Sequence, residues 1–351
     1  MSWFSIDIIP KDFLGIDVGS SALRIVEIGG WADRRSVKNY GEIRIRTMYE
    51  EPFRTFEKNS LLLSTADIAK AIRGIMEELG MKEKKAVFSI SDFSSFFTIL
   101  ELPPMKEQEL GDAIRFEARR HVPLPLSEVV LDWQIFERTT KQEPHRILLV
   151  AVPREVVNYY EEIARFAKLK LIALEAEVFG NIRSYLKEEK FPVMLLDVGS
   201  HTTTVSVVHK GYLRVSHTID TGGNSFTERI ARGLSIDYKE AQDRKITEGM
   251  DIVAGNVRIL LPVVDVILGE MRKALDIFER QKVGEVHKIV LSGGSARLPG
   301  LKEYIEKEFR IRTEIIDPFR HLLYPPLLEE EIKKMGPSYA VAVGMALRGF
   351  E

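Results

Sequence analysis

The chain has 351 residues, 45% of them hydrophobic and 29% charged, with a formal net charge of −2. That length can bury more than one core, and the balance lacks the basic excess that nucleic-acid backbones require, so DNA and RNA are not expected partners. No cysteine is present, which excludes disulfides, thiolate zinc sites and thiol nucleophiles and fits a reducing, cytoplasmic compartment.

Met1 to Pro10 is rich in Trp3, Phe4, Ile6, Ile8 and Ile9, but Asp7 interrupts it and no basic n-region or cleavage site accompanies it. It does not read as a signal peptide. The longest pure apolar run, Ile147 to Val152, suits a buried strand and is far short of a membrane span. Leu14–Val18 reads as a strand, Gly19-Ser20-Ser21 as a tight turn, and Ala22–Ile28 and Tyr40–Arg46 as two further strands. Ser64–Leu79 has helical spacing with Gly80 as its stop.

A distinct segment follows. Ala86–Ser91 and Phe96–Leu102 read as strands, Pro103-Pro104 as a break, and Lys106–Val122 as an amphipathic helix ended by Pro123 and Pro125. Val129–Phe136 and Arg146–Val152 read as strands and Arg154–Leu169 as a helix, which together make a small α+β subdomain. Then the opening order returns: Met194–Val198, the Gly199-Ser200 turn, Thr202–Val208, the Lys210-Gly211 hairpin and Tyr212–Ile219. Asn224–Arg280 is mostly helical in pattern, and Lys288–Leu291 is a strand running into Ser292-Gly293-Gly294 before a helix that opens near Leu301. A three-strand unit beginning with Asp-Val-Gly-Ser thus occurs twice, which predicts two similar lobes facing each other.

Each copy carries a candidate anion loop. In Asp17-Val18-Gly19-Ser20-Ser21 a glycine free to take positive φ brings backbone N–H groups near a phosphate, and the hydroxyls add donors. The loop is no Walker motif, because Gly-Lys-Ser/Thr is missing and a strand follows. An aspartate such as Asp17 facing phosphates needs a cation between, usually Mg²⁺ held through water. Taken alone, the loop reads equally as a plain hairpin turn. Asp197 to Thr204 supplies the second loop, with Gly199, Thr202 and Thr203 as candidates, although threonines in a strand are also simple β-formers. Leu291 to Gly300 is a strand, turn and helix whose Gly293, Gly294 and Ser295 let backbone lie against a flat purine, or merely pack. Gly222 and Gly223 precede a helix and offer its N-terminus to phosphates. His201, His209 and His217 are evenly spaced but lack carboxylate companions at ligand spacing, so they read as structural.

These three motifs, in this order, resemble the phosphate-1, phosphate-2 and adenosine motifs of the actin, Hsp70 and sugar-kinase superfamily. Within it the fine pattern is similar to the type IV pilus assembly PilM family, whose nearest cousin is the FtsA cell-division family. The matching stretches are Phe13–Glu27, Glu101–Pro104 with Ile114–Ala118, Pro123–Leu126 with Leu131–Trp133, Leu148–Pro153, and Thr221–Thr227 with Ala241–Lys245. The resemblance implies a bilobed actin-like α/β fold with a ribonuclease H-like duplicated core. Its first lobe would span 12–192, with an FtsA-type α+β subdomain inserted at 89–170, and its second 193–351, with a helical subdomain at 223–285.

The resemblance further implies ATP bound by Asp17, Gly19, Ser20 and Ser21 on one side and by Gly199, Thr202 and Thr203 on the other. Magnesium would sit near Asp17 and Asp197 through water. Gly293, Gly294 and Ser295 with Lys245 would surround adenosine, and Gly222 and Gly223 would neighbour the phosphates. Glu177 resembles the residue that orients the attacking water, yet Glu175 stands two residues away on what reads as the same strand end, and both stay open. Ser200 replaces an aspartate of actin, which implies slow or no hydrolysis. The implied role is a scaffold of type IV pilus assembly, peripheral at the inner membrane, working with other assembly components. Its partner would be the apolar cytoplasmic N-terminal tail of the membrane protein PilN, in a groove for which Phe93, Phe96, Phe97 and Pro123–Leu126 are candidates. The alternatives are an FtsA-like filament former, for which the C-terminus shows no amphipathic membrane helix, and a small-molecule kinase, for which no catalytic base stands out.

Overall fold

The computed structural model describes residues 11–31, 34–44, 64–136, 144–254 and 257–351, with the short pairs 56–57 and 60–61. The N-terminal stretch 1–10 and the expected strand end at 45–46 lie outside the described residues. Strand β1 (Lys11–Val18) pairs antiparallel with β2 (Ala22–Trp31), which pairs antiparallel with β3 (Arg34–Arg44). β3 starts earlier than its apolar residues suggest, because it is an edge strand whose Arg34, Arg35 and Lys38 need no apolar face. Helix α1 (Thr65–Glu78) is capped by Ser64, whose Oγ accepts from the Asp67 N–H at 3.1 Å, and it buries Ile68, Ile72, Ile75 and Met76.

β4 (Lys85–Ile90) joins β1 in parallel. The inserted segment then forms β5 (Phe96–Leu102), α2 (Glu107–His121), β6 (Val129–Phe136) and β7 (His145–Pro153). Its sheet has the order β5-β7-β6 and packs one face on Leu110, Ile114 and Ala118 of α2. The other face, through Phe97, Ile99, Phe136 and Leu148, joins a core shared with Val193, Leu195, Val208 and Leu213 of the second repeat. Helix α3 (Arg154–Phe166) ends three residues before Leu169 and packs with α1, and β8 (Lys170–Ala176) adds to β4 in parallel.

A short helix, α4 (Glu177–Asn181), widens into a π-helical turn over Ile182–Leu186 and leads to the second sheet. There β9 (Val193–Val198), β10 (Thr203–His209) and β11 (Tyr212–Ile219) form an antiparallel meander. The helical stretch resolves into α5 (Gly223–Leu234), α6 (Tyr238–Glu248) and α7 (Leu261–Glu279). β12 (Lys288–Ser292) pairs parallel with β9, and after α8 (Leu301–Phe309) β13 (Arg312–Ile315) pairs parallel with β12. The two sheets read β8-β4-β1-β2-β3 and β13-β12-β9-β10-β11, identical in order and strand direction. The duplication seen in the sequence is therefore a duplication of topology.

The last helix, α9 (Glu329–Arg348), returns to the first sheet and buries Tyr339, Ala342, Val343 and Ala346 against Val26, Ile28 and Phe319. Its close approach depends on small residues. A Cβ on Gly344 would lie 2.0 Å from the Gly180 carbonyl oxygen, so a larger residue there forces α9 off α4.

Candidate functional site

Between the two sheets lies a cleft of about 910 Å³, within the ~300–1,000 Å³ of small-molecule and cofactor sites. Both turn loops line it: Asp17, Gly19, Ser20 and Ser21 from the first repeat, Asp197, Gly199, Ser200 and Thr202 from the second. The loops are built alike. Gly19 N–H donates to the Ala22 carbonyl at 3.1 Å and Gly199 N–H to the Thr202 carbonyl at 3.0 Å. Neither glycine is among the residues of positive φ, which corrects the expected reason for them. A Cβ at either position would meet a carbonyl oxygen at 3.1 Å across the turn, a tight contact that the turn would relax by a few tenths of an ångström to admit. The Ser20 and Ser200 hydroxyls meet at 2.5 Å, which joins the loops across the cleft.

Acid dominates the cleft floor. Asp17 is 5% exposed, accepts from Ser89 Oγ at 2.7 Å and lies 3.9 Å from the Arg24 guanidinium. Burial pushes its carboxyl up, and Arg24 and Ser89 oppose that. Asp197 Oδ2 accepts from Asn181 Nδ2 at 2.8 Å, and Asn181 Oδ1 accepts from Ser292 Oγ at 2.8 Å. This chain fixes the orientation of a carboxyl that burial pushes up to about 6. Glu177 also lines the cleft, and burial, with the charges of Asp92, Asp17 and Asp197, holds it well above the usual carboxylate range. Behind the wall, Asp92 is buried and pushed up to about 7, chiefly by its burial.

Glu175 and Glu177 separate cleanly. Glu175 lies next to the end of β8 and accepts from both terminal nitrogens of the Arg183 guanidinium, Nη2 at 2.9 Å, with Arg348 at 3.5 Å. Glu177 opens α4 and faces the cleft, because the turn from strand to helix swings the two side chains apart.

The Gly293-Gly294-Ser295 loop is held by the second repeat and by α9. Gly293 has φ +87°, and a Cβ on it would lie 2.4 Å from Asp197 Oδ1. Its N–H donates to the Pro337 carbonyl at 3.0 Å. Pro337 has no N–H for the Lys333 carbonyl one helical turn earlier, and Arg297 donates to that oxygen instead. Gly294, Ser295 and Arg297 line the cleft, as do Gly223, Tyr238, Gln242 and Lys245 of the helical region. Lys245 Nζ donates to the Gly223 carbonyl and Thr227 Oγ1, both at 2.9 Å, and burial pushes its pKa down to about 8.

Two expected residues stand outside the cleft wall. Thr203 is fully buried and its hydroxyl donates to the Thr221 carbonyl at 2.6 Å. Gly222 is the residue before α5, and a Cβ there would lie 2.8 Å from the Gly199 carbonyl oxygen. The N–H groups of Gly223 and Asn224 donate to the Gly199 and Ser200 carbonyls at 2.9 and 2.7 Å, so the start of α5 holds the loop itself. His201 gains a companion that the sequence did not suggest, Asp220 at 3.5 Å, because the β10-β11 hairpin brings them together. Ser89, Asp92 and Asn181 were not singled out by the sequence, and Ser292 was read there only as part of a turn. For Asp92 a signal existed, since Ser89-Ile90-Ser91-Asp92 places an aspartate at a strand end as both Asp-Val-Gly-Ser loops do.

Comparison with known proteins gives a consistent picture. The family model described as type IV pilus assembly protein PilM matches residues 15–350. The solved PilM-PilN type IV pilus biogenesis complex superposes with a TM-score of 0.83 at 25% identity, over 96% of this chain and 98% of that one. MreB5 of Spiroplasma citri bound to ADP shares the fold, with a TM-score of 0.54 at 12% identity over 97% of this chain and 96% of its own. The cell division protein FtsA of Streptococcus pneumoniae is 25% identical over 199 residues, 49% of this chain and 43% of that protein. The chain thus spans under half the length of that curated relative. Among the described residues no helix is long and apolar enough to cross a membrane. With one family model matched from residue 15 to 350 and a duplicated actin-like core beneath it, the chain belongs to the type IV pilus assembly protein PilM family.

Proposed function

We propose that the chain is an ATP-binding adaptor of the type IV pilus machine, in which a nucleotide held between the lobes shapes a surface for the N-terminal tail of a PilN-like membrane protein. One observation carries this reading: matched loops from the two repeats converge, Ser20 on Ser200, with Asp17 and Asp197 on either side of the same cleft. The lobes are taken as 12–192 and 193–351, with subdomains at 89–170 and 223–285.

In this reading Ser20, Ser21 and Thr202 donate to phosphate oxygens, while Gly293, Gly294, Ser295, Arg297 and Lys245 bound the nucleoside end. Asp17 and Asp197 hold hydrated magnesium. The donor set suits that ion: raised carboxyls face one cleft, and among the described residues no three acidic or histidine side chains converge to chelate a bare metal. Magnesium supplies charge neutralisation at the phosphates, and Glu177 orients water in line with the terminal one. Turnover is slow, because Ser200 brings a hydroxyl where a carboxylate would help. For the tail, Phe93, Phe116 and Leu124 expose apolar side chains on or beside the inserted subdomain.

The test titrates the protein with ATP, with and without magnesium, and with a peptide of apolar PilN-tail type, following peptide affinity and ADP release together. Magnesium-dependent ATP binding that changes peptide affinity is expected. Sugar-dependent ADP production would overturn the adaptor reading, and undiminished ATP binding in both Asp17→Ala and Asp197→Ala would overturn the site.

A further inference from the structure

The inserted sheet touches both halves of the molecule, and one buried residue stands at the meeting point. Asp92 lies just after β4 and before β5, where the first sheet hands the chain to the inserted one. Its N–H donates to Glu177 Oε2 at 3.3 Å, and its Oδ1 accepts from the Val178 N–H at 3.1 Å. Asp92 is therefore held at the first turn of α4 by two bonds, one to the Glu177 side chain and one from the Val178 backbone. Thr204, in the strand after the second loop, lines the cleft, and its Oγ1 pairs with Thr218 Oγ1 at 3.0 Å. Asp92 is 3% exposed and is not part of the cleft wall, though its neighbours Ser91 and Phe93 are.

Two ring contacts extend the same connection. Phe97 of β5 meets Phe179 of α4 edge to face at 5.9 Å, and Phe136 of β6 stacks on Tyr212 of β11 at 5.6 Å. One face of the inserted sheet is thus packed on α4 and on the second repeat, the parts that carry Glu177 and Thr204. Packed interfaces of this kind move as bodies, because a dense core does not deform continuously.

We propose that Asp92 is a positioning residue that ties Glu177 at the cleft to the orientation of the inserted sheet, so that a magnesium nucleotide in the cleft is read out at that sheet. This rests on the nucleotide reading above and names how the site is coupled to the partner surface. Asp92 acts only through its neighbours. Its loss leaves phosphate contacts in place and removes their connection to β5, β6 and β7.

Amide hydrogen exchange on the full chain, with and without Mg·ATP, tests this in the wild type, Asp92→Ala and Asp92→Asn. In the wild type, Mg·ATP slows exchange both in the anion loops (17–21 and 197–204) and in the inserted strands (96–102 and 145–153), by at least about fivefold, the low end of ordinary site-to-site coupling. In Asp92→Ala the loops keep their protection while the inserted strands stop responding. Asp92→Asn restores the response, because its amide oxygen still accepts from Val178. Inserted strands that respond in Asp92→Ala as in the wild type overturn the proposal, as do wild-type strands that ignore a nucleotide protecting the loops. Wild-type loops without protection overturn the nucleotide reading itself, and the proposal with it. Should Asp92→Ala not fold, Phe97→Leu breaks the adjoining ring contact away from the loops and carries the same expectation.

Discussion

The hydroxyls of Ser20 and Ser200, 180 residues apart in the chain, lie 2.5 Å from each other across the cleft. In the resting protein they satisfy one another. A phosphate between them would replace a neutral hydrogen bond with two charge-assisted ones, which are roughly twice as strong.

Replacing both serines with alanine is therefore expected to change stability little, by about 1 kcal/mol or less. The same change should weaken ATP binding by about tenfold or more, since each hydrogen bond to a charged group contributes about 1.5–3 kcal/mol. Titration with a fluorescent ATP analogue reads the loss. Equal affinity in the double variant would mean that these loops do not grip phosphate.

Glu175 and Glu177 should part company on mutation. Glu177→Gln is expected to keep ATP affinity while lowering slow phosphate release, because in the proposed reading Glu177 orients the attacking water. Glu175→Gln leaves Arg183 with a weaker partner and should cost about 1–3 kcal/mol in urea unfolding, with little change at the nucleotide. Reversed outcomes would exchange their roles.

Protonation should stabilise the protein without nucleotide. The Asp197 carboxyl titrates at about 6 in the folded chain against an ordinary 3.8, so the folded state holds its proton more tightly. The stability this contributes is complete below the unfolded value and is lost as pH rises through 6. Between about pH 5 and pH 8 it amounts to roughly 1–3 kcal/mol. Asp92, pushed up to about 7, acts in the same direction. Asp197→Asn should flatten part of this dependence in thermal melts recorded across that range. A variant with the slope of the wild type would show that Asp197 is not so perturbed.

Gly293→Ala probes the purine-side turn. With φ at +87° and Asp197 Oδ1 2.4 Å from the added carbon, the substitution should cost more than about 1 kcal/mol and displace the Asp197 carboxylate. Magnesium dependence of ATP binding should weaken with it. Urea unfolding and paired titrations with and without magnesium measure both effects.

Local pattern alone determined much of this protein. Apolar runs ending in Asp-Val-Gly-Ser disclosed both turn loops and the repeat behind them, because strand burial and turn chemistry are written in neighbouring residues. Most candidate cleft residues follow from those same stretches. Only the tertiary structure separated Glu175 from Glu177, placed Thr203 and Gly222 outside the cleft wall, and showed that neither Gly19 nor Gly199 has positive φ. It alone brought Asp92 to Glu177, Ser292 and Asn181 to Asp197, and α9 back onto the first sheet. Those relations join residues from 16 to more than 100 positions apart, and their direction depends on how two sheets, a helix and an inserted domain pack, which no periodicity along the chain encodes.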